Sequence, residues 1–300
     1  MNRRQFVQTT AVATTAATVL PISMSVAAER NTKSAHWPIG AFNRPWADKM
    51  NLGYDAALDG MKVAGYKLTG LLSRTEKQPL TGADATEEYL ADLKKQIAAR
   101  GLAAVMTALR TKDDLPLDQQ IKGMRKQIDN AKFVGVEFLL TFGVGKEEYY
   151  ENYYKLMHDA AAYSQERGLK LVLKPHGGSS GDAEEITRSI EKVKHPNFKI
   201  WFDAGNIIYY TGKDPLEQLK PVVQYVTGFC AKDCDKQQGS VWLQFGAGKV
   251  DFPAVFGELK KAGFNGPVMV ECCARGDTAE AVTENMRKNR EYLEKVFASL

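Results

Sequence analysis

Cysteine and histidine are both scarce, with four of each among 300 residues. The cysteines, Cys230, Cys234, Cys272 and Cys273, form no CxxC pair, which removes the commonest cysteine metal motif. Buried free thiols are the expectation, although an oxidising compartment would permit a disulfide. Histidine is too sparse for a histidine-rich cluster of several metals. No stretch of the mature chain is apolar for long enough to span a membrane. No basic run or basic-aromatic stripe marks a nucleic-acid surface. A charge of +4 on a chain of ordinary composition also points to a small-molecule partner.

The first residues read as an address. Arg3-Arg4 precede a weakly apolar, threonine-rich run from Val7 to Ser25, interrupted by Pro21, and Val26-Ala27-Ala28 offers a small-residue cleavage site. Residues 1–28 are therefore expected to be a cleavable twin-arginine export signal, with a periplasmic destination. Cleavage removes two arginines and no acids, leaving a net charge of +2 on residues 29–300. That length suits one large core, or one (β/α)8 barrel.

The mature chain has a rhythm of amphipathic helix, glycine, apolar run. Gly65, Gly101, Gly135 and Gly168 stand before the runs at Tyr66–Thr69, Leu102–Leu109, Val136–Gly143 and Leu169–Lys174, at spacings of 36, 34 and 33 residues. Gly263 precedes Val268–Glu271 in the same way. Such glycines end helices in the left-handed region. Three more runs, Pro38–Phe42, Phe198–Phe202 and Val226–Ala231, complete eight strands. Regular alternation without a break in composition predicts an α/β fold, a single (β/α)8 TIM barrel over residues 29–300.

Four of the runs end on polar residues: LKLVLKPHGG, FKIWFDAGN, VTGFCAKD and GPVMVECC. They place Lys174 and His176, Asp203, Lys232 and Asp233, and Glu271 at strand exits. In barrels of this kind the carboxyl ends of the strands surround the active site. A charge at the last inward position of a strand forgoes core burial, and four such ends predict a site. Asn43, Arg44 and Trp46 follow the first strand, and Trp242 lies in the long loop after the seventh. Arg44, Asn206, Trp242 and Asp233 are the predicted substrate contacts. His158 and His195 read as structural.

The strand-end pattern, with GAGKVDFPAVFGELKKAGFNGPVMVE near the C-terminus, resembles the xylose-isomerase-like TIM barrel superfamily of sugar isomerases, epimerases and inosose dehydratases. The resemblance covers most of residues 37–297. It implies a site for one divalent metal held by Glu, Asp, His and Glu from strands five to eight. Asp203 and Glu271 match that pattern. Lys174 stands in place of the first Glu, Cys230 in place of the His, and Asn206 in place of the His that often follows the Asp. A nuclease of the AP endonuclease type, rich in histidine and metals, is disfavoured.

The expected chemistry is enolisation of a sugar or polyol derivative. A base takes the proton next to a carbonyl and a cation holds the enolate oxygen. Lys174, Glu271, His176 and Lys232 are the candidate catalytic residues. If a divalent ion (Mn, Co, Zn or Mg) binds, Asp203, Glu271 and His176 are its predicted ligands, with Cys230 as a further donor. If none binds, the Lys174 ammonium takes its place. A keto-sugar lyase or hydratase shares the first half-reaction, and a non-catalytic sugar-binding barrel would account for the lost ligands. Convergence of the polar groups on one point favours catalysis, whereas complete mutual neutralisation favours binding. A homo-oligomer is compatible with the sequence.

Overall fold

The computed structural model describes residues 36–48, 52–75 and 77–300. The predicted export signal, residues 1–28, lies outside the described residues. Eight parallel strands close into a barrel in sequence order. They are β1 (Ile39–Phe42), β2 (Leu68–Leu71), β3 (Ala103–Ala108), β4 (Phe138–Thr141), β5 (Lys170–Leu173), β6 (Phe198–Phe202), β7 (Val226–Ala231) and β8 (Val268–Val270). Closure is direct, with Ala41 of β1 in register with Val270 of β8. Among the described residues, no helix is long and apolar enough to cross a membrane.

The glycine rhythm marks real helix ends. Helix Leu117–Val134 stops at Gly135, whose φ of 96° is open to glycine and costly for a β-branched residue.

Side chains alternate across each strand, and two apolar clusters result. One contains Ala41, Leu139, Leu171, Leu173, Ile200, Phe202, Phe229 and Val270 together with helix residues such as Met157, Phe256 and Leu293. This is the layer between barrel and helices. The other contains Phe42, Leu72, Met106, Phe138, Leu140, Val172, Trp201, Cys230 and Met269, with no helix residue, and it fills the barrel interior. Trp201 is its largest member, fully buried against Phe138 at 5.0 Å.

The interior set is also a ruler. Two residues beyond Val172, Trp201, Cys230 and Met269 come Lys174, Asp203, Lys232 and Glu271. Strand parity therefore carries these four charges from the apolar plug to the mouth of the barrel.

Candidate active site

Lys174, Asp203, Lys232 and Glu271 are buried, each no more than 2% exposed, and they meet one another. The Lys174 ammonium donates to Glu271 Oε2 and lies 3.1 Å from Asp203 Oδ2. Lys232 Nζ donates to Glu271 Oε1 at 2.7 Å and lies 3.3 Å from Asp203 Oδ2. Arg44 reaches the same Glu271 Oε1 at 2.7 Å. Two carboxylates thus share three cations, and Arg44 is further balanced by Asp48 at 2.9 Å.

Local structure sets each group. Asp203 caps helix Ala204–Thr211, its Oδ1 accepting from the Asn206 amide at 2.9 Å. The cap turns Oδ2 toward the lysines, where it has no hydrogen bond of proper geometry despite full burial. Gly205 is required beside it, because a Cβ there would run into the Lys232 side chain and stand 2.6 Å from its carbonyl oxygen. Asn206 also donates to Pro175 O at 2.6 Å, tying the ends of β5 and β6 together.

The charge states follow from this packing. Burial alone would push Glu271 up, but Lys174, Lys232 and Arg44 hold it well below the ordinary carboxylate range. Burial alone would push Lys174 down, but Glu271 and Asp203 raise it above the ordinary lysine range. Both are therefore ionised at neutral pH, and Lys174 is not a neutral base at rest. Burial pushes the Cys230 thiol well above its usual range.

His176 sits above this cluster. Its ring contacts Phe142 at 5.2 Å and Tyr210 at 4.7 Å, and its Nε2 lies 2.9 Å from the Tyr210 hydroxyl. Desolvation of the ring and the charges of Lys174 and Lys232 push it down to about 3, so it is neutral at pH 7, although the residue as a whole is exposed and solvent moderates the effect. Arg44, His176, Asn206, Tyr210, Lys232 and Trp242 line a cavity of about 240 Å³ over the charged cluster. A larger cleft of about 620 Å³ lies at the opposite end of the barrel, beside Trp37, Ile39 and Leu68. The chemistry points to the smaller one.

The remaining candidates divide. Trp242 lies between Arg44 at 5.0 Å and Arg275 at 4.6 Å, and forms one wall of the cavity. Asp233 stands elsewhere than the sequence reading has it. Its buried carboxylate accepts from the amides of Cys234, Gly246, Gly248 and Val250 at 2.8–3.1 Å. Fully engaged in this way, it holds the loop that carries Trp242 and leaves no acceptor for a substrate. Trp46 is fully buried and donates to Thr283 Oγ1 at 3.1 Å, so it packs. Asn43 Oδ1 accepts from the amides of Leu72 and Ser73 at 3.0 and 2.9 Å. His158 binds the Val193 carbonyl oxygen at 2.8 Å, in keeping with a structural role. All four cysteines are buried and free.

Donor atoms of Asp203, Cys230 and Glu271 lie within 4.8 Å of one another, a spacing compatible with a metal ion. His176 is not in that group. Both lysine ammoniums contact the same carboxylates, however, and a cation bound there at about 2.0–2.6 Å would meet them at close range. With Lys174 and Lys232 charged and in place, the residues present do not fit a divalent ion between Asp203 and Glu271.

A barrel of this topology with strand-end Asp203 and Glu271 invites comparison with known families. The model of the xylose isomerase-like TIM barrel family matches residues 60–296. The chain belongs to this family. Among curated relatives, an L-ribulose-5-phosphate 3-epimerase of Salmonella heidelberg is 27% identical over 289 residues, covering 87% of this chain and 95% of the relative. Among solved structures, a D-allulose 3-epimerase from Methylomonas sp. superposes with a TM-score of 0.70 at 16% identity, over 87% of this chain and 98% of that one. A xylose isomerase-like TIM barrel protein from Mycobacterium smegmatis in complex with magnesium superposes with a TM-score of 0.68 at 17% identity, over 88% and 97%. At such identities the structural likenesses speak for the fold.

The sequence reading missed Tyr209, Tyr210, Arg74 and Arg110 at this end of the barrel. Nothing in the spacing of the two tyrosines marks helix Ala204–Thr211 as cavity wall. The two arginines obey the strand ruler, two residues beyond Leu72 and Ala108, and parity could have found them.

Proposed function

We propose that this protein is a sugar isomerase or epimerase that works by enolisation, with two lysine ammoniums supplying the positive charge at the reaction centre. The observation that carries this reading is the shared contact of Lys174 and Lys232 with Glu271 and Asp203, beneath an open cavity with aromatic walls. The comparison with 3-epimerases supports the reaction class.

In this reading a substrate carbonyl enters the cavity and takes a hydrogen bond from Lys232 or Arg44. Glu271 then loses part of the cation field that depresses it, and its basicity rises. The C–H bond next to the carbonyl breaks and Glu271 gains the proton. The electron pair moves into a C=C bond, and the carbonyl oxygen becomes an enolate held by the ammoniums. Delivery of a proton to the opposite face of the same carbon from the Lys174 ammonium, which then regains a proton from Glu271, gives the epimer. Return of the proton to the neighbouring carbon, after a proton passes between the two oxygens, gives the isomer. Trp242 and Tyr210 offer apolar faces and a hydroxyl to the sugar, and neutral His176 can take or give a hydrogen bond.

A second reading, a sugar-binding barrel, draws on the close pairing of the same four charges. One experiment separates the two. Wild-type protein incubated with keto- and aldo-sugars in deuterated water should place deuterium on the carbon beside the carbonyl, as seen by proton NMR. Glu271→Gln, checked as folded by circular dichroism, should lose that exchange by at least about 100-fold. Binding without exchange in the wild type would make the protein a binder.

The Arg3-Arg4 segment supports export as the setting of this reaction. Replacing both arginines with lysine in cells should trap the protein on the cytoplasmic side, and unchanged fractionation would remove that part of the proposal.

A further inference from the structure

Arg110 lies just beyond β3, on the inward parity of the barrel. Its guanidinium is half-buried and has no carboxylate within ion-pair distance among the described residues. One of its nitrogens donates to Leu72 O at 2.8 Å, and its carbon stands 4.9 Å from the centre of the Phe142 ring. A guanidinium carries five N–H donors, so most of its hydrogen-bonding capacity is unused. The charges that act on it are those of Arg74, another cation, and of Glu271 in the central cluster. Arg74 itself has the exposed Asp84 at 3.9 Å. Burial and the Arg74 charge weigh against the charged form of Arg110 and outweigh the opposing pull of Glu271. A half-buried cation with no carboxylate in ion-pair reach, and with a second cation at the end of the neighbouring strand, is an arrangement that an anionic ligand would relieve.

Its position ties it to the reaction centre. The Phe142 ring that Arg110 covers also lies 5.7 Å from Lys174 Nζ and 5.2 Å from the His176 ring. Arg110 is thus separated from the charged cluster by a single phenyl ring, a gap that a sugar chain of five or six carbons can bridge. Trp242 and Arg44 stand on the β1 and β7 side of the mouth, whereas Arg110 and Arg74 stand on the β2 and β3 side. The two ends of a substrate would therefore meet different chemistry.

We propose that Arg110, aided by Arg74, binds an anionic end group of the substrate, a phosphate or a carboxylate, and so selects acidic sugars over neutral ones. The proposal rests on the enolisation reading only for which end of the sugar reacts. The planar fork of Arg110 suits either anion, through two parallel hydrogen bonds.

Calorimetric binding to the purified protein tests it without reference to turnover. The probes are D-ribulose 5-phosphate, D-gluconate and neutral D-ribulose. The wild type should bind at least one charged probe about tenfold or more tighter than D-ribulose, and the tighter of the two names the anion. Arg110→Gln should erase that preference and leave D-ribulose binding unchanged. Arg110→Lys should keep part of it. Arg74→Gln, on a more exposed residue, should weaken the charged probe by a smaller factor and serves if Arg110→Gln does not fold. Equal binding of charged and neutral probes by the wild type would overturn the proposal, as would an unchanged preference in Arg110→Gln or, if that variant does not fold, in Arg74→Gln. Deuterium exchange into a sugar alongside such a result would leave the enolisation reading standing.

Discussion

At the scale of single residues, Glu271 depends on three cationic partners at once. It is buried, ionised and held by Lys174, Lys232 and Arg44. Removing its charge leaves Lys174 and Lys232 with only Asp203 between them, so Glu271→Gln should cost about 3–5 kcal/mol of stability as well as turnover. That second effect was not legible, because a strand-end Glu looks the same whether it has one partner or three. The double variant Lys174→Met/Glu271→Leu should recover most of the lost stability, since it removes both members of a buried pair. Urea unfolding of the two singles and the double measures this coupling, and strictly additive losses would contradict it. The four inward charges themselves were legible, because they follow apolar strand positions at period two. Arg110 and Arg74 obey the same parity but stand in stretches that read as loop.

At the scale of elements, the eight strands were legible from apolar runs and their glycines. The second was displaced, being read at Tyr66–Thr69 and found at Leu68–Leu71. Gly70 hides that strand in the sequence, yet it is needed where a Cβ would strike the Phe42 ring. The short helix Pro215–Leu219 was not legible, since five residues give no periodicity. The loop after β7 shows how an expected substrate contact became a brace. Asp233 accepts four amides along that loop, which also carries Trp242. Asp233→Ala should lower stability by about 2–4 kcal/mol and raise KM more than it lowers kcat, because the cavity wall loosens while the charged cluster stays. Hydrogen exchange at the Gly246 and Gly248 amides should accelerate strongly. Unchanged protection there would contradict the brace.

At the scale of the whole molecule, the cluster joins β5 to β8 across the barrel, so its ionisation should show in global stability. Lys174 is raised above an ordinary value of about 10.4, so its contribution is complete below that pH and lost as pH rises through the higher folded value. Glu271 is depressed below about 4.3, so its contribution is complete above that pH and lost as pH falls further. His176 is depressed to about 3. Its unfolded form takes up a proton near pH 6.5 while the folded form resists, so stability declines as pH falls from about 6.5. These groups together predict a level melting temperature from about pH 7 to 10, a mild decline below 6.5 and a steeper one below about 4. The mild decline should disappear in His176→Asn. Thermal melts across that range check it, and a wild-type maximum near pH 5 would contradict the assigned charge states.

In the proposed enolising site, two ammonium groups stand where a divalent cation would otherwise serve. The most direct test is the rate of deuterium exchange into a sugar substrate by the wild-type protein before and after exhaustive dialysis against EDTA. The same rate is expected in both samples, with no gain on adding Mg, Mn, Co or Zn. Exchange that vanishes with EDTA and returns with one of these ions would contradict it, and would return Asp203, Cys230 and Glu271 to the role of metal ligands.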